Sequence, residues 1–174
     1  DWRGRLLLAV SPGLESSIQP ELATFKNDLA ADGWSVTQLA LGSSTSVPML
    51  KSAIVSAWAV DSANTKALIL LGHLPVPYSG SAAPDGHGNH QGTWPADTFY
   101  GDVNGTWTDT ASFTNSQNSF YSNAPGDGKY DQDNVPDGTT ELQVGRIDLN
   151  NMDAFSPTTP PPATDEPQRY RTYL

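Results

Sequence analysis

The sequence predicts an α/β fold: a parallel sheet in three layers, with helices on both faces and a long loop-rich insertion. Three observations predict it. GRLLLAV (4–10) and KALILLGH (66–73) are short, nearly continuous apolar runs, as expected of strands buried on both faces. Apolar residues at helical spacing fill the segments between the strand-like runs. The connections are short, so a β-α-β-α-β order implies parallel strands joined by right-handed crossovers.

Each element has a local reason. After the first run, SPG turns the chain, and Ile18, Leu22, Phe25 and Leu29 follow at spacings that line one helical face. Ser16 or Ser17 is suited to cap that helix, Pro20 fits its first turn, and Gly33 fits its end. WSVTQLAL (34–41) reads as the second strand. Val47, Leu50, Ile54 and Trp58 mark a second helix that starts near Ser46-Val47-Pro48. ELQVGRIDL (141–149) returns to strand character after a long interval without periodicity. The expected organisation is an α/β subdomain over 1–155 with an insertion at 78–138. A stiff proline-rich connection follows at 156–167, and a helix begins at 168–174 and is cut short. That ending suggests a piece of a larger protein.

Composition narrows the function. The chain has 174 residues, enough for one good core, and only 37% of them are hydrophobic. A net charge of −10 with nine scattered basic residues argues against nucleic acid, whose phosphates need clustered Lys and Arg. Nothing approaches the ~18 consecutive apolar residues of a membrane span. There is no cysteine, hence no disulfide, thiolate metal site or cysteine nucleophile within the chain. Acidity, scarce lysine and richness in Ser, Thr, Asn and Gly fit a secreted or cell-surface bacterial protein whose leader has been removed.

In an open parallel sheet, ligands bind beyond the carboxyl ends of the strands, and His73 lies at such an end. His87 and His90 follow in PDGHGNHQG, near the carboxylates of Asp85 and Asp97. Neutral imidazoles beside a carboxylate suit zinc, although H-x-x-H in a glycine loop is a weak signal and a bland loop is the more economical reading. Two acidic loops stand out further on. One carries Asp102, Asn104 and Asp109. The other, PGDGKYDQDNVPDG (125–138), carries Asp127, Asp131, Asp133 and Asp137. Oxygen ligands alternating around glycine turns are how calcium loops wrap a hard cation, so these residues are expected to bind Ca2+, against the alternative of a solvated loop. Lys129 and Val135 interrupt the EF-hand pattern. Trp94, Phe99, Tyr100, Trp107, Phe120, Tyr121 and Tyr130 crowd the same region, more as a satellite core than as a binding groove. No G-x-S-x-G elbow or phosphate loop is present.

The order ALILLGHLPVP, PADTFYGDVNGTWTD, ELQVGRIDL and RYRTYL resembles the gingipain-like cysteine peptidases, whose catalytic unit is caspase-like. The resemblance implies a caspase-like or flavodoxin-like sheet. It places Gly72-His73 and Pro75 at the family's strand end, with His where the family often has Asp. It also pairs Asp97 with Tyr100 and matches Gly145-Arg146 to the family's Gly-Arg. Asp102 and Asp109 fall where the family has calcium-associated turns. The family's catalytic His-Gly and Cys lie in the second half of the unit, after the part matched here. The implied role is therefore a non-catalytic amino-terminal half that buttresses the catalytic half, its partner being the rest of its own polypeptide. His73, His87, His90, Asp97, Tyr100 and Arg146 are expected to be groove or structural residues. Two alternatives use the same residues differently. One is an extracellular calcium-stabilised structural or adhesion module in a cell-surface assembly. The other is a metal hydrolase built on His73, His87, His90 and Asp97.

Overall fold

The computed structural model describes residues 1–152 and 166–174; residues 156–165 of the expected proline-rich connection lie outside them. The chain forms two compact units, one of Asp1–Pro75 with Gln143–Leu174 and the other of Val76–Leu142.

The first unit is the predicted α/β architecture: a parallel four-stranded sheet flanked by helices in three layers. Its strands are β1 (Gly4–Val10), β2 (Trp34–Gln38), β3 (Thr65–Leu71) and β6 (Gln143–Ile147), in the order β2-β1-β3-β6. All three pairings are parallel. The sequence order reverses between β1 and β3, as in doubly wound sheets.

Burial on both faces explains the apolar runs. Leu6, Leu8 and Val10 face a cluster with Leu14, Ile18, Leu22, Leu71 and Tyr170, against which Phe25 and Leu29 also pack. Leu7 and Ala9 point the other way, since side chains alternate along a strand, and are equally buried. Helix α2 (Gln19–Ala31) supplies Leu22 to the cluster, while α3 (Val47–Ala59) buries Leu50 and Ile54 outside it. Each fully buried leucine contributes roughly 1.5–3 kcal/mol.

Local signals act mostly as expected. Ser46 caps α3, its hydroxyl accepting from the Met49 amide, and Pro20 lies in the first turn of α2. Gly33 follows α2 with a φ of +102°. Two details differ. A one-turn helix, α1 (Pro12–Glu15), replaces the plain turn at SPG. The hydroxyls of Ser16 and Ser17 donate back to the Gly13 carbonyl at its end, so α2 starts after Ile18 without a side-chain cap. Strand β2 stops at Gln38, its last pair being with Leu8, and the Leu39 amide still donates to the Leu8 carbonyl.

The second unit is mostly irregular. It holds a two-stranded antiparallel pair, β4 (Tyr78–Ser79) and β5 (Trp94–Pro95), and the short helix α4 (Thr98–Gly101). Aromatic packing compensates for the lack of aliphatic core. Phe99 stacks on Tyr130 at 4.3 Å, with Trp107 edge-on to both rings. Trp94 stacks on Tyr121 at 5.3 Å.

Helix α5 (Glu166–Tyr173) clamps the exit of β6. The Leu149 amide donates to the Tyr170 hydroxyl at 2.7 Å, and the Leu149 carbonyl accepts from Arg169 Nη1 at 2.9 Å. Both backbone groups of one buried residue are thus satisfied by adjacent side chains of the helix. Burial pushes the Tyr170 phenol up to about 12. No helix among the described residues is long and apolar enough to cross a membrane.

Removing the Tyr170 hydroxyl leaves a buried amide without its acceptor, so Tyr170→Phe should destabilise the first unit by about 1–3 kcal/mol in urea denaturation. A phenol raised in the folded state stabilises fully below its unfolded value, about 10, and less as pH rises. Wild-type stability should therefore fall between pH 10 and 12 by an increment that the Phe variant lacks.

Candidate functional site

In the first unit, polar groups gather at the carboxyl edge of the sheet. Strands β3 and β6 end in register, Leu71 opposite Ile147, and the Gly72 amide donates to the Ile147 carbonyl at 2.9 Å. Gly72 has a φ of +91°, and a Cβ there would stand 2.7 Å from the Ser11 Cβ. Only glycine fits. This close approach lies between the ends of β1 and β3, where the strand order reverses. The exposed chemistry is instead one strand over.

There, His73 Nδ1 meets Asp148 Oδ2 at 3.0 Å. The imidazole is 61% exposed and the carboxylate 20%. A carboxylate partner assigns the proton to Nδ1 and leaves Nε2 as an acceptor, the arrangement of a base oriented for proton abstraction. Asp148 also accepts from the Asn150 amide, which fixes its own orientation. Arg146, projecting from β6, donates from Nη1 to the Leu74 carbonyl at 2.8 Å and from Nη2 to the Pro75 carbonyl at 3.1 Å. Its planar fork thereby holds the segment just past His73. The sequence points to His73 and Arg146 but does not single out Asp148. The available signal is register: residues just past two paired parallel strands must be neighbours.

In the second unit, Asp85, His87 and His90 bring one ligand atom each to within 4.8 Å of one another. His87 Nδ1 lies 3.3 Å from Asp85 Oδ2, and His90 Nδ1 is hydrogen-bonded to the same oxygen. The hydrogen bond from His90, with others from His87, holds the Asp85 carboxyl well below the usual carboxylate range. Of the two carboxylates considered from sequence, Asp85 is the one that joins the histidines. Asp97 is instead the residue preceding α4, its carbonyl accepting from the amide of Tyr100, which is fully buried. His73 belongs to the other unit.

The acidic loops use their carboxylates on the backbone. Asp102, fully buried, accepts from the Gly105 amide at 2.9 Å and from Trp107 Nε1 at 2.8 Å. Asp109 accepts from the amides of Gly126 and Gly128, and Asp127 from those of Ala124 and Lys129. Asp133 accepts from the amides of Ser81 and Ala82. Asp131 gathers the most donors: the amides of Thr110 and Ala111, the hydroxyls of Thr108 and Thr110, and Asn123 Nδ2. Partial desolvation pushes the Asp131 carboxyl up, but these donors outweigh it and leave it below its ordinary value. Lys129 turns inward, its ammonium donating to the carbonyls of Phe120 and Ser122. Asn104 and Asp137 are exposed.

Two outcomes are expected. Arg146→Leu should cost about 2 kcal/mol in chemical denaturation, because two charge-assisted bonds to backbone are lost. Asp131→Ala should loosen residues 108–131 by about 1–2 kcal/mol, measured by hydrogen exchange without added calcium, while the parallel sheet keeps its protection.

No family model, curated protein or solved structure matches the chain, so geometry and chemistry carry its functional reading.

Proposed function

We propose that this chain is the amino-terminal, non-catalytic half of a secreted gingipain-like cysteine peptidase unit, or of an inactive relative, and that it buttresses the catalytic half. One observation supports this above the others. The short motifs behind the resemblance, Gly72-His73 with Pro75 and Gly145-Arg146, are far apart in sequence yet meet at one edge of the sheet. The Arg146 fork binds the carbonyls of Leu74 and Pro75, and the Gly72 amide bonds the Ile147 carbonyl. The Arg-Tyr helix, the fourth motif, bonds the chain just beyond β6 through Arg169 and Tyr170.

The His73–Asp148 pair has the base half of a hydrolytic site, but a base needs a nucleophile, and the chain has no cysteine. In this reading the thiolate and its histidine come from the other half of the unit, and His73 shapes the edge of the sheet. Calcium carries less weight. The carboxylate oxygens of Asp109, Asp127, Asp131 and Asp133 already accept backbone amides, which leaves fewer lone pairs for a cation.

The test is peptide-level mass spectrometry of the native protein, reading the polypeptide carboxyl-terminal to Leu174. The expected continuation holds a further strand, a His-Gly and then a cysteine, and an electrophilic probe labels that cysteine. In the same full-length protein, His73→Ala should retain labelling and peptide hydrolysis. A continuation lacking both residues, or none, would sink the proposal and favour an extracellular structural or adhesion module. Loss of labelling in His73→Ala would instead move the catalytic base into this half.

A further inference from the structure

The loop Asp85–His90 has no part in that proposal, yet it is among the better-built polar features of the second unit. Its three side chains form a mixed donor set of one carboxylate oxygen and two imidazole nitrogens within six residues. Such a set is too nitrogen-rich for calcium or magnesium, which prefer oxygen, and suits a divalent first-row transition ion. The spacing agrees. Two ligands about 2.0–2.1 Å from a tetrahedral ion are about 3.3–3.4 Å apart. His87 Nδ1 and Asp85 Oδ2 are 3.3 Å apart. Both imidazoles turn Nδ1 towards the same carboxylate oxygen, and His90 Nδ1, hydrogen-bonded to it, would have to draw back for an ion to enter between them.

The backbone beneath them is held from several sides. The His87 amide donates to Asp85 Oδ1 at 3.1 Å, which leaves Oδ2 to the imidazoles. Three successive carbonyls are tied down: Asn115 Nδ2 donates to those of Asn89 and Gln91, and Trp94 Nε1 to that of His90. Asn115 is itself buried. At the end of the loop, Gly92 has a φ of +141°, and a Cβ there would lie 2.0 Å from the Tyr121 carbonyl oxygen. The loop is pressed against the 121 segment at a point where only glycine fits. A solvated glycine loop with two incidental histidines would not need this scaffold.

We infer that Asp85, His87 and His90 form a site for one divalent transition-metal ion, zinc being the best match, that fastens this loop. Three protein ligands leave a fourth position for water.

The experiment uses the 174-residue chain, stripped with chelator and titrated with Zn2+ alone in a calorimeter, with Co2+ absorption as a second readout. The expected result is one equivalent bound. Tetrahedral Co2+ bands should appear, and proteolysis near 83–92 should slow. His87→Ala and His90→Ala should each weaken binding by at least about 10-fold, since each deletes a ligand where even a supporting residue is worth that much. His73→Ala should bind as wild type. Asp85 and His87 are exposed and His90 is half-buried, and far-UV circular dichroism verifies that each variant is folded. No stoichiometric binding, or binding that survives both substitutions, overturns the inference. Binding that disappears only in His73→Ala places the metal elsewhere and overturns it too. None of these results depends on the presence of a catalytic half beyond Leu174.

Discussion

Backbone N–H and C=O groups are strong hydrogen-bonding groups, and the two units of this chain supply their partners by different means. In the first unit the parallel ladder does it, with β1 and β3 paired on both edges and buried on both faces. In the second unit, with few residues in strands or helices, aspartate and asparagine side chains take the place of the ladder. Asp102, Asp109, Asp127, Asp131 and Asp133 between them accept from at least nine backbone amides. This accounts for PGDGKYDQDNVPDG: its charge is matched largely to partial positive charge on amides. Its lysine donates to two backbone carbonyls and also lies 3.9 Å from Asp127 Oδ2.

The ladder has a second consequence. Parallel strands put all their carboxyl ends on one edge, so the residues just after β1, β3 and β6 are concentrated there. Gly72 approaches Ser11 closely between the ends of β1 and β3, while the β3–β6 side carries His73, Asp148 and the Arg146 fork. Helix α5 fixes the same edge from beyond β6 by satisfying both backbone groups of Leu149. Position and polarity at this edge therefore come from strand pairing more than from any local motif.

The three histidines show how the ratio of carboxylates to imidazoles changes what a site can do. One carboxylate to one imidazole, as at His73 and Asp148, fixes a tautomer and orients a base. One carboxylate to two imidazoles, as at Asp85, His87 and His90, makes a small cage of donor atoms. The first arrangement suits proton transfer and the second suits a metal ion.

Much of the architecture is legible in the sequence because it is written in local periodicity. Strand β1 spans the residues expected of it, and Ile18, Leu22, Leu50 and Ile54 are buried as their helical spacing requires. Gly33, Pro20 and Ser46 act as the local punctuation indicated. The caps expected at Ser16 and Ser17 do not form, since a hydroxyl can donate back into a preceding turn as readily as accept from the next. The choice of partners is not legible. His73 and Asp148 are 75 residues apart, and only the register of β3 against β6 brings them together. Asp85 and Asp97 are equal candidates beside the histidines until the loop folds towards one of them. Periodicity is set by the covalent chain and its solvent-facing pattern, so the sequence by itself determined which segments are strands and helices and which faces are buried. Side-chain pairing depends on directions that exist only once strands have registered and loops have closed, so the tertiary structure alone decided the sites.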